Sequence, residues 1–325
     1  MNYEIKDCID AGTEYCPCNL AETGDCILCS QMQGKKFCDC TNWKGVCIYQ
    51  EYVWNGNKPN KQRKITLCKI IKKQNIDKDI IAFTIIAKHK LVQELSVPGA
   101  FIFIRNPETN SYFDAPISIM DTDVVENTLT IAVELKGIKT KKLDELSEKD
   151  DLVVRGPYWN GVLGLKNVNN SKNGTSLILA RGIGMAPMIP VMKKLYANGN
   201  KIIVAIDKAN FKDIFIKDYL SMCNAELIEC TSMVSGELSP ELVEIIKKYS
   251  ESSNIVFCSG PDIFIRNVLD VISDDKNVAC SNNAKMCCGE GVCGTCSTRY
   301  KGHVVKKLCK MQIDPRYIFK GRRLL

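Results

Sequence analysis

Close to the C-terminal end, cysteines stand at a spacing that suits one kind of chemistry. Counted from Cys288, the run reads C-x4-C-x2-C, with Cys293 and Cys296 as the second and third thiols and Cys309 downstream as a fourth. Two irons and two sulfides need four thiolates converging on one small volume, and this is the plant-type spacing for a [2Fe–2S] cluster. Gly289, Gly291 and Gly294 lie between the thiols. They permit backbone angles that a β-carbon forbids, and they let N–H groups turn toward an anionic cluster. The bland alternatives are a zinc loop or scattered core cysteines, and the glycine-rich spacing favours the cluster over both. Using Cys287 would lengthen the first spacing to x5, so it reads as a neighbour of the cluster and not a ligand.

A second concentration of thiols lies in the first fifty residues: Cys8, Cys16, Cys18, Cys26, Cys29, Cys38, Cys40 and Cys47. A segment this short, with so few core-forming residues, needs a staple to fold. No histidine accompanies the thiols, and soft thiolates select zinc or iron–sulfur clusters. Zinc ribbons prefer two C-x2-C knuckles. Only Cys26–Cys29 has that spacing; Cys16–Cys18 and Cys38–Cys40 are C-x-C pairs. The pattern favours a [4Fe–4S] cluster, one or two, over zinc, with the ligands unassigned. Trp43, Tyr49, Tyr52 and Trp54 read as packing around this segment. Cys68, Cys223, Cys230, Cys258 and Cys280 are isolated among apolar residues and read as small buried hydrophobes.

The chain that must position these thiols has 325 residues, enough for two or three domains. Its 45% hydrophobic and 25% charged residues are ordinary for a globular protein. Eighteen cysteines behind an N-terminus (Met1–Asp7) without a charged-then-apolar leader pattern point to metal ligands in a reducing compartment, not to disulfides. The expected location is the cytoplasm. No apolar run reaches the ~18 residues of a membrane span, so no membrane is expected. The net charge of +7 is dispersed apart from Lys58–Lys64 and Lys320–Arg323. No nucleic-acid motif accompanies it, and docking an acidic redox partner is an equal use of the same charge. His89 and His303 have no motif around them and are not read as catalytic.

Five segments follow from the patterning: a Cys-rich metal-binding segment (1–55), a polar, lysine-rich linker (56–63), an antiparallel β-barrel (64–172), a doubly wound α/β domain (173–277) and a small cluster-binding domain (278–325). Alternating or isoleucine-rich runs at Lys64–Ile71, Asp79–Ala87, Ala100–Ile104, Leu129–Leu135 and Leu152–Val154 predict the barrel strands. From Ser176, short apolar strands alternate with helices, which predicts a parallel sheet. One of those helices is expected over Phe211–Met222, and another behind the Ser239–Pro240 cap. The turn Gly182–Pro187 follows the first strand and opens a helix, where a diphosphate can sit on free N–H groups.

In this order the pieces resemble the electron-transfer subunit of type B dihydroorotate dehydrogenase and related small subunits of the ferredoxin-reductase superfamily, over about four fifths of the chain (64 to 325). Pro116, Ile117 and Ser118 match the end of the flavin motif R-P-I-S. Gly137 and Thr140 sit where a G-x-G-T stretch contacts flavin. Gly156, Pro157, Asn160 and Gly161 match G-P-L-G-N-G. Gly182, Gly184 and Pro187 match the nucleotide loop G-G-G-I-G-x-x-P, and Gly260 and Pro261 match the C-G-P turn near the nicotinamide. The chain departs from the pattern at Ala115, where the family has its flavin-pyrophosphate arginine, and at Ala180 and Arg181, where two loop glycines are expected.

The resemblance implies a relay: hydride from NAD(P)H to FAD, then single electrons to a [2Fe–2S] cluster on Cys288, Cys293, Cys296 and Cys309. From there electrons pass to a catalytic partner subunit, or through the N-terminal centre to a ferredoxin-like carrier. Two rival readings remain open. One is a non-enzymatic carrier or sensor that keeps the clusters without nicotinamide binding, motivated by Ala180 and Arg181. The other is a zinc-bearing N-terminal interaction module fused to such a relay.

Overall fold

The computed structural model describes residues 7–40, 43–299 and 305–319. The leader reading over Met1–Lys6, His303 and the basic run 320–323 lie outside the described residues. Two compact units account for the chain. One is Met1–Lys64 with Ala284–Ile313, and the other is Ile65–Asn283 with Asp314–Leu325. The Cys-rich N-terminal segment and the C-terminal cysteine loop, separated by more than 200 residues of sequence, therefore share one unit.

In the larger unit a closed antiparallel barrel comes first. Its strands run around the barrel in the order Ile65–Asp77, Ile80–Ile86, Thr128–Glu134, Ala115–Asp123, Phe101–Arg105, Asp151–Tyr158 and back to the first. Ile70, Phe83, Ile102, Ile131 and Val154 fill the interior and are completely buried. Each such side chain contributes roughly 1.5–3 kcal/mol by leaving water, which is why the alternating runs close into a barrel. A six-stranded sheet follows, in the order Glu226–Glu229, Lys201–Asp207, Thr175–Arg181, Ser253–Ser259, Val278–Ser281, Val162–Leu163. All its pairs are parallel except the last. Strands buried on both faces read as continuous apolar runs, as Ser176–Ala180 does. The helix Met185–Ala197 opens directly from the turn Gly182–Gly184 at the end of the central strand.

Two expectations meet a different structure here. The helix expected over Phe211–Met222 is only Lys217–Met222. Upstream, the Lys212 amide donates to Asp77 Oδ2 (2.7 Å) and the Ile214 amide to Asp213 Oδ1 (2.8 Å), and such side-chain bonds compete with a helical ladder. Residues 278–281, placed with the cluster segment, form a strand of the parallel sheet in register with Val256–Cys258.

The smaller unit has little regular structure. Asp7–Cys8 pairs antiparallel with Met311–Gln312, tying the two ends of the unit together. Short helices run over Asn19–Glu22 and Ile48–Trp54. The stretch 56–63, read as a linker, is exposed at 56–58 and Lys61 and anchored at Asn60 and Arg63. Asn60 donates its amide to Pro17 O (2.8 Å) and its side chain to Cys16 O (2.9 Å), and Arg63 is buried. Among the described residues no helix is long and apolar enough to cross a membrane.

Candidate functional site

One cleft of about 240 Å³ in the larger unit brings three separate sequence motifs together. Pro116, Ile117 and Ser118 come from a barrel strand, Gly184 and Pro187 from the glycine turn and its helix, and Gly260 from the end of Ser253–Ser259. This is the carboxyl edge of the parallel strands, where doubly wound sheets bind ligands. A β-carbon at Gly184 would stand 2.4 Å from Ser259 O, so only glycine lets the two strand ends approach so closely. Ser259 and Ser281 also line the cleft. Both hydroxyls are buried without a hydrogen-bond partner. Buried polar atoms are nearly always paired, so two orphaned hydroxyls facing one cleft fit a cofactor with a polar edge.

The remaining motif residues do not line this cleft. Gly137 caps the helix Ile138–Asp144, its amide donating to Thr140 Oγ1 (3.3 Å). Gly156 lies against Ile102, and Gly156–Pro157 is a cis peptide. Gly161 donates to Gly99 O (2.8 Å), and the Asn282 side chain donates to Asn160 O (2.7 Å). Pro261 precedes the helix Asp262–Val271. Gly182 lies in the turn itself, beside Ala209 and Phe211.

At Ala115 the missing arginine has neighbours of the same charge. Asp114 pairs with Arg105 Nη1 (2.8 Å) and Arg155 Nη2 (3.0 Å), and Lys139 Nζ donates to Asp114 O (2.9 Å). Two arginines thus face the Asp114 carboxylate, and Lys139 its backbone carbonyl, at the start of the flavin-motif strand. Arg155 also stacks on Phe103, its guanidinium carbon 4.3 Å from the ring centre. Arg105 and Arg155 carry no motif in the sequence, because only the barrel's strand pairing brings them beside Asp114.

Arg181 is engaged with Asp207 and with Ser232 Oγ (3.0 Å). Asp207, at the end of the neighbouring strand, also accepts the Ser232 amide (2.8 Å), the Ser232 hydroxyl (2.6 Å) and the Ala209 amide (2.7 Å). Burial alone would raise the Asp207 pKa, but these donors and the Arg181 charge hold it below the usual carboxylate range. No sequence motif announced Asp207; its only signal is an acidic residue ending the second strand of the sheet.

In the smaller unit the C-terminal thiols fall into two pairs. Cys288 stands beside Cys293, and Cys296 beside Cys309, each pair joined by an amide-to-sulfur hydrogen bond. A two-iron cluster takes two protein ligands on each iron, so paired thiols suit it. The Glu290 and Cys293 amides point at Cys288 Sγ (3.3 and 3.4 Å), the Cys309 amide at Cys296 Sγ (3.4 Å), and the Thr295 hydroxyl at Cys293 Sγ (3.2 Å). Burial opposes ionisation of Cys293, yet its hydrogen bonds to Thr295 and Cys288 bring it down to about 7. Bonding to Cys309, partly opposed by burial, brings Cys296 down to about 6, and the same bond together with burial pushes the Cys309 thiol far up. The thiolate is the form a metal binds. Among the described residues no three His, Cys, Asp or Glu side chains stand where one ion would hold them.

Against this loop lies a buried quartet of charges that the sequence did not reveal. Arg63 bonds Asp10 (2.7 Å) and Glu290 (3.0 Å); Lys310 bonds Glu290 (3.1 Å) and also Asp10. All four are buried, Lys310 completely. The N-terminal thiols are also distributed. Cys29, Cys38, Cys40 and Cys47 line one cavity of about 180 Å³, with Cys38 and Cys40 Sγ 3.5 Å apart. Cys26 Sγ accepts the Cys29 amide (3.4 Å).

No family model matches the chain. Among curated proteins it is similar to the dihydroorotate dehydrogenase B (NAD(+)) electron transfer subunit of Fusobacterium nucleatum, 27% identical over 247 residues, covering 73% of this chain and 91% of that protein. The probable electron transfer subunit of the same name from Pyrococcus abyssi is 28% identical over 204 residues, covering 62% and 73%. Among solved structures, the NADH-dependent reduced ferredoxin-NADP oxidoreductase matches with a TM-score of 0.61 at 24% identity, over 75% of this chain and 86% of that one. The motif-based resemblance is thus borne out: the chain is similar in sequence to dihydroorotate dehydrogenase B electron transfer subunits and has a ferredoxin-reductase-like fold of barrel and α/β sheet.

Proposed function

We propose that this protein is the FAD- and iron–sulfur-dependent electron-transfer subunit of a cytoplasmic NAD(P)H oxidoreductase, working with a catalytic partner subunit or a ferredoxin-like carrier. The observation that carries the reading is the cleft in which Pro116–Ser118, Gly184, Pro187 and Gly260 converge around two orphaned serine hydroxyls. FAD, when bound, supplies the switch between two-electron hydride chemistry and one-electron chemistry.

The chain's own residues bind and orient. Pro116, Ile117 and Ser118 hold the flavin against the barrel. Arg105, Arg155 and Lys139 provide the positive charge that Ala115 does not, and arginine's planar fork suits phosphate oxygens. Gly182 and the helix behind it offer N–H groups to a nucleotide diphosphate. Asp207 disfavours a 2′-phosphate, since an acidic residue about 20 positions beyond the glycine turn selects the ribose hydroxyl, so NADH is the preferred coenzyme. Cys288, Cys293, Cys296 and Cys309 hold the [2Fe–2S] cluster, and the N-terminal cysteines hold iron and sulfide in preference to zinc. No general acid or base is assigned.

Under argon, NADH added to the flavin-replete protein is expected to bleach the flavin absorbance rapidly, and NADPH more slowly. No response to either coenzyme overturns the enzyme reading and leaves a carrier or sensor that does not bind nicotinamide.

A further inference from the structure

We infer that the apolar, lysine-flanked face around the helix Ile48–Trp54 in the smaller unit is the docking surface for a small acidic electron-carrier protein of the ferredoxin type. The inference rests on the relay reading for the partner's redox character. The surface itself stands on exposure, shape and charge.

The helix carries Ile48, Tyr49, Tyr52, Val53 and Trp54 among its seven residues, and none of the seven is buried. A helix this short gains little from its own hydrogen bonds and is ordinarily held by packing an apolar face. Here that face is open. Trp43 and Trp54, expected to pack around the segment, are 57% and 71% exposed, and Phe37 is 58% exposed. Single exposed hydrophobic residues are ordinary, whereas a contiguous group marks an interaction site. The cavity of about 180 Å³ makes this group contiguous, because Leu28, Trp43, Val46, Ile48 and Tyr49 all line it. Tryptophan and tyrosine are also the side chains that dominate the centres of protein interfaces. Cys38 and Cys40 line the same cavity and are exposed. A carrier seated there touches thiols that the relay reading gives to the N-terminal centre.

Charge selects the occupant. Between Gly34 and Lys61 the sequence has five lysines against Asp39 and Glu51. All five lysines are exposed. Lys44 pairs with Asp7 (2.9 Å). Lys35, Lys36, Lys58 and Lys61 have no carboxylate partner among the described residues. Lys35 and Lys36 run directly into Phe37. Lys58 follows the helix, its carbonyl accepting the Asn55 side chain (2.9 Å). An apolar centre flanked by unpaired cations complements an acidic surface, and such charge steers the encounter. A second copy of this chain would bring lysines against lysines across a two-fold contact. An anionic lipid surface would match the charge, but the helix is only ~10 Å long, and a cavity admits a protruding side chain more readily than a planar surface.

The test uses the full-length protein, purified anaerobically, with a purified small acidic ferredoxin as the probe and binding kinetics read by biolayer interferometry. Binding is expected at low salt and should weaken steeply as salt screens the charges. Trp54→Ala should weaken binding about tenfold or more, chiefly through faster dissociation. Lys35→Glu combined with Lys36→Glu should slow association about tenfold and flatten the salt dependence. Val125→Ala, at an exposed apolar residue of the larger unit, should change nothing. Circular dichroism and the flavin response to NADH must match wild type in each variant; Tyr49→Ala replaces Trp54→Ala if that variant does not. No ferredoxin binding at low salt overturns the proposal, as does an affinity unchanged in both the tryptophan and the lysine variants. Dimerisation in light scattering, or co-sedimentation with phosphatidylserine vesicles, that Trp54→Ala abolishes while ferredoxin binding survives gives the face to another occupant and overturns it too. Failure of the relay reading is distinguishable: wild-type flavin would then not respond to NADH, while ferredoxin binding still depended on Trp54.

Discussion

In the barrel and sheet, Phe83, Ile102, Ile131, Phe257 and Val204 are fully buried. The smaller unit has few such residues, among them Leu20, Ile27, Leu308 and Met311. Its interior is instead made of thiols and of Asp10, Arg63, Glu290 and Lys310. Both units bury side chains, but only the first gains mainly by removing apolar surface from water. Four buried charges each carry a desolvation cost that their pairing must offset. Under the proposed reading, clusters stabilise such a unit, as metals do small metal-stapled domains. The larger unit rests on its apolar core.

The largest effect should come from removing iron. Chelation after mild oxidation is expected to abolish amide exchange protection across residues 7–40, 43–63, 284–299 and 305–313, while 65–283 keeps its protection. Hydrogen–deuterium exchange read by mass spectrometry checks this peptide by peptide. Retained protection in the smaller unit without metal would break the contrast.

Next in size is the charge quartet. Lys310→Met leaves Asp10 and Glu290 facing Arg63 alone, and removal of one partner from a buried ionic group costs roughly 3–5 kcal/mol. The urea midpoint of the smaller unit should fall accordingly, with no change in the larger. Adding Glu290→Gln restores neutrality and should recover part of the loss. A smaller effect is expected beside the flavin-motif strand: Lys139→Ala should weaken flavin binding about tenfold, or ~1.4 kcal/mol. Flavin fluorescence quenching measures it, and an unchanged affinity would assign the phosphate charge to Arg105 and Arg155 alone.

How legible each unit was in the sequence follows from the same contrast. Strand periodicity and the apolar runs from Ser176 onward are local signals, so the barrel, the sheet order and the glycine turn could be read directly. The strand Ala115–Asp123 was seen only as a motif, because the proline inside it masks the alternation. Helix Lys217–Met222 came out shorter than its pattern because side chains claim the amides before it. In the smaller unit the cysteine spacing was legible but the partnerships were not. Asp10, Arg63, Glu290 and Lys310 are ordinary surface types scattered over 300 residues of sequence, and only chain-end pairing through Asp7–Cys8 brings them together. The same long-range closure buries Arg63 at the end of the lysine-rich linker.

The smallest predicted effect tests the larger unit where it, too, relies on charge. Asp207 is held ionised despite its burial by Ser232, the Ala209 amide and Arg181. Its folded pKa lies below the unfolded value of ~3.9. The stabilisation it provides is therefore fully present above that unfolded value and is lost as pH falls through the folded one. Between neutral pH and about 5, exchange protection of the strand Lys201–Asp207, corrected for intrinsic rates, should be flat, and in stronger acid it should decline. Asp207→Asn should show lower protection at neutral pH and a shallower acid decline, since it keeps an acceptor for Ser232 but loses the charge that Arg181 faces. Coincident curves for variant and wild type would mean that Arg181 and Asp207 are paired in space without energetic consequence. In that case the guanidinium beside the glycine turn is available to a bound diphosphate at no cost to the sheet.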